Sequence, residues 1–187
     1  MSNYKRLYPK LEKGNTYIAN LIYDKEFENV LYDGISLKNM KSPNATLKNL
    51  SGKSLDFLYA LGGKLIVSEK VKLFLEKTYD CSYFEFIEVN FENKKMKPYY
   101  VLNILELVDA FDWEKSEYEL FEELGPKGNK VIQNIIKMEI DESKTNNRKL
   151  FNLLNFEGSI IIHIDLVNQM LNHGITGTLI DPLIGQK

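Results

Sequence analysis

The run YYVLNILEL at residues 99–107 constrains the fold of this chain most, because it is apolar on both faces of an extended strand. Such a strand is buried on both faces, so we expect it inside a sheet rather than at an edge. Pro98 has no amide hydrogen to donate, which limits the start of the strand to Tyr99. The sequence then becomes acidic and aromatic up to Tyr118, so the strand delivers this segment to the surface, an arrangement that suits binding better than catalysis.

Residue spacing elsewhere along the chain predicts further strands and two helices. Ser68 is a good helix N-cap, and Val71, Phe74 and Leu75 follow it on one helical face. A second helical segment ends just before Gly174, where a glycine commonly closes a helix. The remaining strands are expected at residues 55–60, 64–67, 83–91, 135–140, 150–154, 159–164 and 175–180.

These elements indicate the α+β class. Strand-like runs outnumber helical ones, and the turn at Asn93 between two such runs is typical of an antiparallel hairpin. We expect a mixed, largely antiparallel sheet of seven or more strands, with helices near residues 69–77 and 166–173 packed on it.

The chain contains a possible internal duplication. Residues 62–83 and 158–179 align at an offset of 96, with Val71 matching Val167. Both segments read as strand, helix and strand. Two unrelated units with one amphipathic helix each would look similar as well, so both explanations stay open. A true duplication predicts two quasi-equivalent units around one sheet.

The length of 187 residues fits one domain. Residues 1–55 are weakly patterned, so we expect a variable N-terminal segment packed on an α+β domain of residues 56–187. Cys81 is the single cysteine, which excludes an intrachain disulfide and favours a reducing compartment. The N-terminus has no apolar core of signal-peptide length, and no apolar run is long enough to span a bilayer. We therefore expect a cytoplasmic protein without a membrane partner.

The charge balance argues against nucleic acid as a partner. The formal net charge is −2, and only Arg6 and Arg148 among the 24 basic residues are arginines. Nucleic-acid binding favours a clustered basic excess, and arginine is the preferred donor to phosphates and base edges. We therefore expect no nucleic-acid partner.

Signatures of catalysis and of cofactor binding are mostly missing. The chain has no HExxH, GxSxG or CxxC motif, and neither His163 nor His173 has a second ligand at zinc spacing. We expect no cofactor and no metal. Asp109 and Asp112 form the best carboxylate pair for acid–base work, since on a helical turn they would share a face and raise one pKa. Aspartates also collect at turns for capping reasons alone.

The densest charge lies in residues 106–123, which hold eight acids and one base among apolar and aromatic side chains. One interpretation is a solvated acidic face whose aromatics point into the core. The other is a docking surface for a basic partner, on which acids steer the approach and aromatics bind. The candidate partner-binding residues are Asp109, Asp112, Trp113, Glu114, Glu117, Tyr118 and Glu119.

Three stretches of the chain resemble a family of bacterial immunity proteins from polymorphic toxin systems. YYVLNILELVDAFDWEKSEY resembles its element with tyrosine, leucine and asparagine followed by DAxDxxxS. LIVSEKVKLFLEK resembles its ISExLxxxL element, and LFNL followed by SIIIHIDLVNQMLNHGITGTLI resembles a C-terminal element ending in GLTG. The resemblance covers roughly residues 56–181. The matching positions are Ser68, Glu69, Tyr100, Leu102, Asn103, Asp109, Asp112, Ser116, Phe151, Gly174, Thr176 and Gly177.

This resemblance implies a protein without enzymatic activity that binds a cognate bacterial toxin and blocks its active site or its access to substrate. Many such toxins are enzymes with basic clefts, so an acidic patch would mimic the phosphates of the substrate. Two other classes stay open on the residues alone. One is a general protein-interaction or scaffold module with the same surface, and the other is a hydrolase built on Asp109 and Asp112.

Overall fold

A computed structural model describes residues 3–10, 18–22, 27, 34–48, 52–61, 65–79, 81–121, 132–154, 156 and 158–181 of the chain. Helix α1 spans Glu69–Thr78 and helix α2 spans Ile164–Asn172, and Cys81–Tyr83 and Glu142–Lys144 form short 3-10 turns. The strands are β1 (Tyr4–Pro9), β2 (Ile18–Ile22), β3 (Asn44–Lys48), β4 (Phe57–Ala60), β5 (Leu65–Ser68), β6 (Phe84–Glu88), β7 (Asn90–Phe91), β8 (Tyr99–Ile104), β9 (Leu107–Val108), β10 (Glu117–Leu120), β11 (Ile132–Lys137), β12 (Leu150–Leu153), β13 (Ile160–His163) and β14 (Thr178–Asp181).

The first large sheet surrounds the apolar strand that the sequence singles out. Its order is β6-β8-β5-β4-β2-β3-β7, and β8 lies inside it, antiparallel to both β5 and β6. The predicted interior position of this strand is confirmed, and so is the antiparallel hairpin around Asn93. β6 and β7 are the two edge strands of this sheet, and only Val89 separates them along the chain. The two edges are therefore close together, and the sheet curls back on itself.

The second large sheet has five strands in the order β14-β1-β13-β12-β9. Its pairings are antiparallel except that of β9 with β12. β10 and β11 form a separate two-stranded antiparallel ribbon. The α+β class and the largely antiparallel pairing are confirmed, but the expectation of one sheet is wrong for the described residues. The predicted strand 99–107 leaves the first sheet after Ile104 and enters the second at Leu107, so it is divided between the two.

Both helices begin where a side chain accepts a hydrogen bond from the first turn. Ser68 Oγ accepts from the Val71 amide at 3.4 Å, as the sequence predicts. In α2 the N-cap is His163, whose Nδ1 lies 3.2 Å from the amide nitrogen of Asp165. This helix therefore begins earlier than the predicted 166. Gly174 follows the last turn with a φ of 64°, which confirms it as the closing glycine.

Both halves of the possible duplication form strand, helix and strand. The first unit is β5, α1 and β6, and its strands flank β8; the second is β13, α2 and β14, and its strands flank β1. The expectation that the two units share one sheet is wrong. The strands of the first unit lie in the seven-stranded sheet, and those of the second unit lie in the five-stranded sheet. A common origin of the two units stays a prediction.

Three apolar cores join these layers. The largest lies where both large sheets meet the two helices, and it contains Val71 and Ile162. The second lies on the other face of the seven-stranded sheet and contains Ile66. The third lies between the five-stranded sheet and the ribbon, and it contains Phe111 and Phe151. The ribbon is therefore packed on the body of the protein along one face.

Strands from residues 1–55 lie in both large sheets, since β1 belongs to one and β2 and β3 to the other. The variability of that segment stays a prediction. The glycines at residues 62–63 and the Gly-Pro-Lys-Gly run at residues 125–128 also predict turns, and both stretches lie outside the described residues. Neither α1 nor α2 is long and apolar enough to cross a membrane.

Candidate functional site

The acidic segment forms one side of an antiparallel ribbon that continues from the edge strand β9. Phe111 makes an isolated antiparallel bridge with Ile140, and β10 then pairs with β11 farther along. A turn at residues 113–115 lies between these two pairings. Asp109 and Asp112 are therefore in extended chain and not on the helical turn that would bring them to one face. Main-chain pairing with the opposite strand decides this local conformation.

Asp112 closes the turn at residues 113–115 with its carboxylate. Its Oδ1 accepts from the amides of Glu114 and Lys115 at 3.2 and 3.1 Å, and its Oδ2 lies 2.7 Å from Lys115 Nζ. The hydrogen bond from the Lys115 side chain, with those from the two amides, lowers the pKa of Asp112. The Asp112 side chain is only 12% exposed. Its hydrogen-bonding capacity is used within the protein.

Ser116 joins the same turn to the opposite strand. Its Oγ accepts from the Glu139 amide at 2.9 Å and lies 3.4 Å from the Glu139 carbonyl oxygen. The Ser116 amide donates to the Asp112 carbonyl at 2.9 Å. Asp112, the second aspartate of the DAxDxxxS element, and Ser116, its serine, thus both hold this turn in place.

Asp109 differs from Asp112 in its surroundings. It is exposed, and its carboxylate makes no hydrogen bond or ion pair within the described part of the chain. The pairing predicted for these two carboxylates included a pKa raised by mutual repulsion. Asp112 is not the carboxyl with the raised pKa, because its contacts with Lys115 lower its pKa.

Three of the four aromatic residues of the segment pack on one another. The ring centroids of Phe111 and Trp113 are 4.8 Å apart, those of Phe111 and Tyr118 are 5.6 Å apart, and those of Trp113 and Tyr118 are 5.3 Å apart. All three pairs are edge-on, the arrangement that aromatic quadrupoles favour. Phe111 is 1% exposed, while Trp113 and Tyr118 are half-buried against the third core. Most of the surface of these three side chains is therefore buried, in line with the interpretation in which the aromatics point into the core.

The acidic side chains of the segment differ in their contacts and in their exposure to solvent. Glu106 is paired with Arg148, whose Nε lies 2.8 Å from its Oε1. Glu119 accepts across the ribbon from Asn134 Nδ2 at 3.3 Å. The exposed members are Asp109, Glu114, Glu117 and Glu119. Glu122 and Glu123 of the predicted acidic run lie outside the described residues.

The C-terminal element of the resemblance lies where the two large sheets meet. Asp56 Oδ2 accepts from the Thr176 amide at 2.9 Å, and its Oδ1 accepts from Ser68 Oγ at 2.7 Å. The Phe57 amide donates to the Thr176 carbonyl at 3.0 Å. A β-carbon placed on Gly177 would lie 2.5 Å from the Phe57 carbonyl oxygen. The element therefore joins the C-terminal segment to the start of β4.

Asn103, another matching position, lies in a buried polar group inside the fold. Its Nδ2 donates to the Ile35 carbonyl at 2.9 Å and to Glu85 Oε2 at 3.2 Å. Glu85, 3% exposed, also accepts from the Leu37 amide at 2.7 Å. The sequence analysis missed Glu85 and Asp56. Each receives its donors from distant segments, and no local spacing signals such partners.

The two histidines take structural positions. His163 caps α2, and the His173 ring lies 4.9 Å from the Phe74 ring. The described ranges contain no group of three His, Cys, Asp or Glu side chains placed to hold a metal ion.

Asp112→Ala is expected to lower the free energy of unfolding by about 1 kcal/mol at pH 7, because the turn loses its cap. Since the folded pKa of Asp112 is lowered, the carboxylate stabilises the fold above its unfolded pKa of 3.8, and this contribution is lost as the pH falls through the folded value. Urea unfolding of both proteins at pH 7 and well below pH 3.8 measures the difference. Asp109→Ala is the matched control, with an expected change within about 0.5 kcal/mol. Equal losses in the two variants would contradict the capping role.

Comparison with known families gives one match. The sequence model described as immunity protein family (Imm11) matches residues 15–182. This range includes most of the segment before residue 56, which the resemblance did not cover. No curated protein matches the chain.

Proposed function

The chain belongs to the immunity protein family Imm11, and we propose that it binds one cognate toxin and neutralises it in competition between bacteria. The family match over residues 15–182 carries this proposal. The toxin is a protein made by the same cell or delivered by a sibling cell, and the immunity protein acts in the cytoplasm. Inhibition follows from occupying the toxin's active site or the path of its substrate.

We further propose that the chain neutralises its partner by binding alone, without turnover. The carboxylate pair that the sequence suggests for acid–base work, Asp109 and Asp112, does not operate as a pair, because Asp112 is committed to Lys115 and to two main-chain amides. A general acid needs a raised pKa near the working pH, whereas the pKa of Asp112 is lowered. These observations favour a binding protein over the carboxylate hydrolase.

The proposed contact surface is the exposed part of the acidic segment. Of the seven candidate residues, Asp109, Glu114, Glu117 and Glu119 are exposed, and Trp113 and Tyr118 are half-buried. Exposed carboxylates on one stretch produce a negative potential that accelerates association with a basic partner. We therefore assign steering to the exposed acids, with the exposed edges of Trp113 and Tyr118 in contact with the toxin.

The test uses the product of the gene immediately upstream as the probe. The wild-type chain is expected to bind it one-to-one and to restore growth when the two are co-expressed. A scaffold module would bind several unrelated proteins with similar affinity. Absence of binding and of rescue by the wild-type chain would overturn the proposed function.

Charge reversal tests the steering role separately. Glu117→Lys combined with Glu119→Lys is expected to lower the association rate on the order of tenfold at low salt, with a smaller difference at high salt. The matched control is Glu88→Lys with Glu92→Lys, which changes two exposed acids outside the ribbon and alters the net charge equally. Stopped-flow or surface-based kinetics give the rates. Equal rates for the two double variants would remove the steering role while leaving the function intact.

A further inference from the structure

The ribbon has two irregularities that turn side chains toward solvent. Glu117 lies opposite Lys137 while the next residue, Tyr118, lies opposite Ile135, so Ile136 is an extra residue on β11. An extra residue bends a strand and redirects the side chains beside it. Ile136 is 40% exposed.

The neighbouring strand presents a second apolar side chain on the outside. Alternation along β10 places Glu117 and Glu119 on one face, and Phe121, which directly follows the last strand residue Leu120, continues this alternation and is 53% exposed. The residues between them, Tyr118 and Leu120, pack against the third core. The ribbon therefore has an inner face that belongs to the fold and an outer face on which acids alternate with large apolar groups.

Neither strand of the ribbon pairs with a third strand within the described residues. The outer face is thus a sheet face that no other described element covers, and its outer edges are open. Large apolar side chains on such a face add nothing to folding, because they stay in water. Such side chains contribute favourable free energy only when another surface covers them and removes them from water.

We propose that the outer face of the β10–β11 ribbon is the docking surface for the toxin, with Phe121 and Ile136 as its apolar contacts. This inference rests on the proposed function. The charge of the face sets the chemistry of the occupant. Lys137, opposite Glu117, is paired with Glu139 at 3.0 Å, so Glu117 and Glu119 leave the face negative and the partner presents lysines or arginines around an apolar patch. Trp113 and Tyr118 pack mainly against the third core and reach the toxin only with their exposed edges, and Asp112 holds the turn.

The two helices offer a matched comparison surface. Leu73 on α1 and Leu171 on α2 are each 57% exposed, more than either Phe121 or Ile136. Lys70 and Lys77 lie one turn from Leu73 on α1, but so do Glu69 and Glu76, and the charges of these four neighbours cancel. Exposure of apolar area alone would therefore favour the helices. The acids single out the ribbon for a basic partner.

The test compares Phe121→Ser and Ile136→Ser with Leu73→Ser and Leu171→Ser in the full chain. Affinity for the product of the gene immediately upstream is measured by calorimetry, and the thermal unfolding of each variant is checked first. Each ribbon variant is expected to lose about tenfold in affinity, or about 1.4 kcal/mol, while each helix variant stays within about twofold of wild type.

The outcomes separate this inference from the function on which it rests. If the wild-type chain binds and all four variants bind equally well, the ribbon is not the docking surface, although the protein is still an immunity protein. If only the helix variants lose affinity, the toxin docks on α1 and α2 and the inference is wrong. If the wild-type chain does not bind, the proposed function fails and the inference fails with it.

Discussion

Gly177→Ala is expected to destabilise this protein by about 2–5 kcal/mol. Gly177 has a φ of 88°, and the left-handed region costs a residue with a β-carbon about 1–2 kcal/mol. The new β-carbon would also lie 2.5 Å from the Phe57 carbonyl oxygen and 2.9 Å from Leu55 Cβ. Because the first of these atoms belongs to the backbone, the chain itself has to move, which costs about 1–3 kcal/mol more.

Gly158→Ala separates the two contributions. Gly158 has a φ of 77°, but a β-carbon there would meet nothing within 4 Å. This variant should therefore lose only the conformational part, about 1–2 kcal/mol. Urea unfolding gives both free energies, and a loss of about 3 kcal/mol corresponds to a fall in Tm of about 6–12 °C for a chain of this size. Similar losses at Gly177 and Gly158 would show that the close approach to Phe57 carries no cost.

Gly177 is one of the positions that match the family, and its contacts show that such positions can serve the fold rather than the toxin. Gly174 closes α2, Thr176 bonds to Asp56, and Gly177 lies against β4. Asp112 and Ser116 hold the turn of the ribbon in the same way. The matching positions with visible contacts are thus ones that the fold needs. The residues that select one toxin are expected elsewhere, on exposed side chains such as Phe121 and Ile136.

The sequence predicts those parts of the fold that local contacts decide. The N-cap at Ser68, the buried face of α1 and the interior strand β8 all follow from spacing within a few residues. The division into two large sheets does not, because it depends on β9 pairing with β12, some 45 residues away along the chain. Strand periodicity shows that a face is buried but carries no information about which strand covers it.

The candidate site was predictable to a similar degree. Charge density drew attention to the segment that forms the ribbon, and the candidate residues included Glu117 and Glu119, which are exposed; their contact with the toxin stays a prediction. Ile136 was not predictable, since its exposure comes from a register shift that only the pairing with β10 reveals. The role of Asp112 was ambiguous for a related reason: a capping aspartate and a catalytic one share the same local sequence, and only the contact with Lys115 separates them.

Phe111→Ala is expected to lower the free energy of unfolding by about 3–5 kcal/mol, the other large effect in this protein. Phe111 is 1% exposed, and its ring supports both Trp113 and Tyr118 from below. Removing it opens a cavity between the ribbon and the five-stranded sheet. Trp113 is the only tryptophan of the chain, so its fluorescence reports on this cluster directly. We expect the emission of the folded variant to shift to longer wavelength, because water reaches the indole.

Phe121→Ala is the matched control, since it removes the same side chain from the outer face of the same ribbon. Phe121 is 53% exposed, so its loss should change stability by no more than about 0.5 kcal/mol and leave the Trp113 emission in place. Toxin affinity should depend on Phe121 more than on Phe111, the opposite of stability. Phe111→Leu, which keeps most of the buried volume, is expected to bind the toxin nearly as wild type does, whereas Phe121→Ala is expected to bind it more weakly. If Phe111→Ala proved as stable as Phe121→Ala, the inner and outer faces of the ribbon would be wrongly assigned, and the docking surface with them.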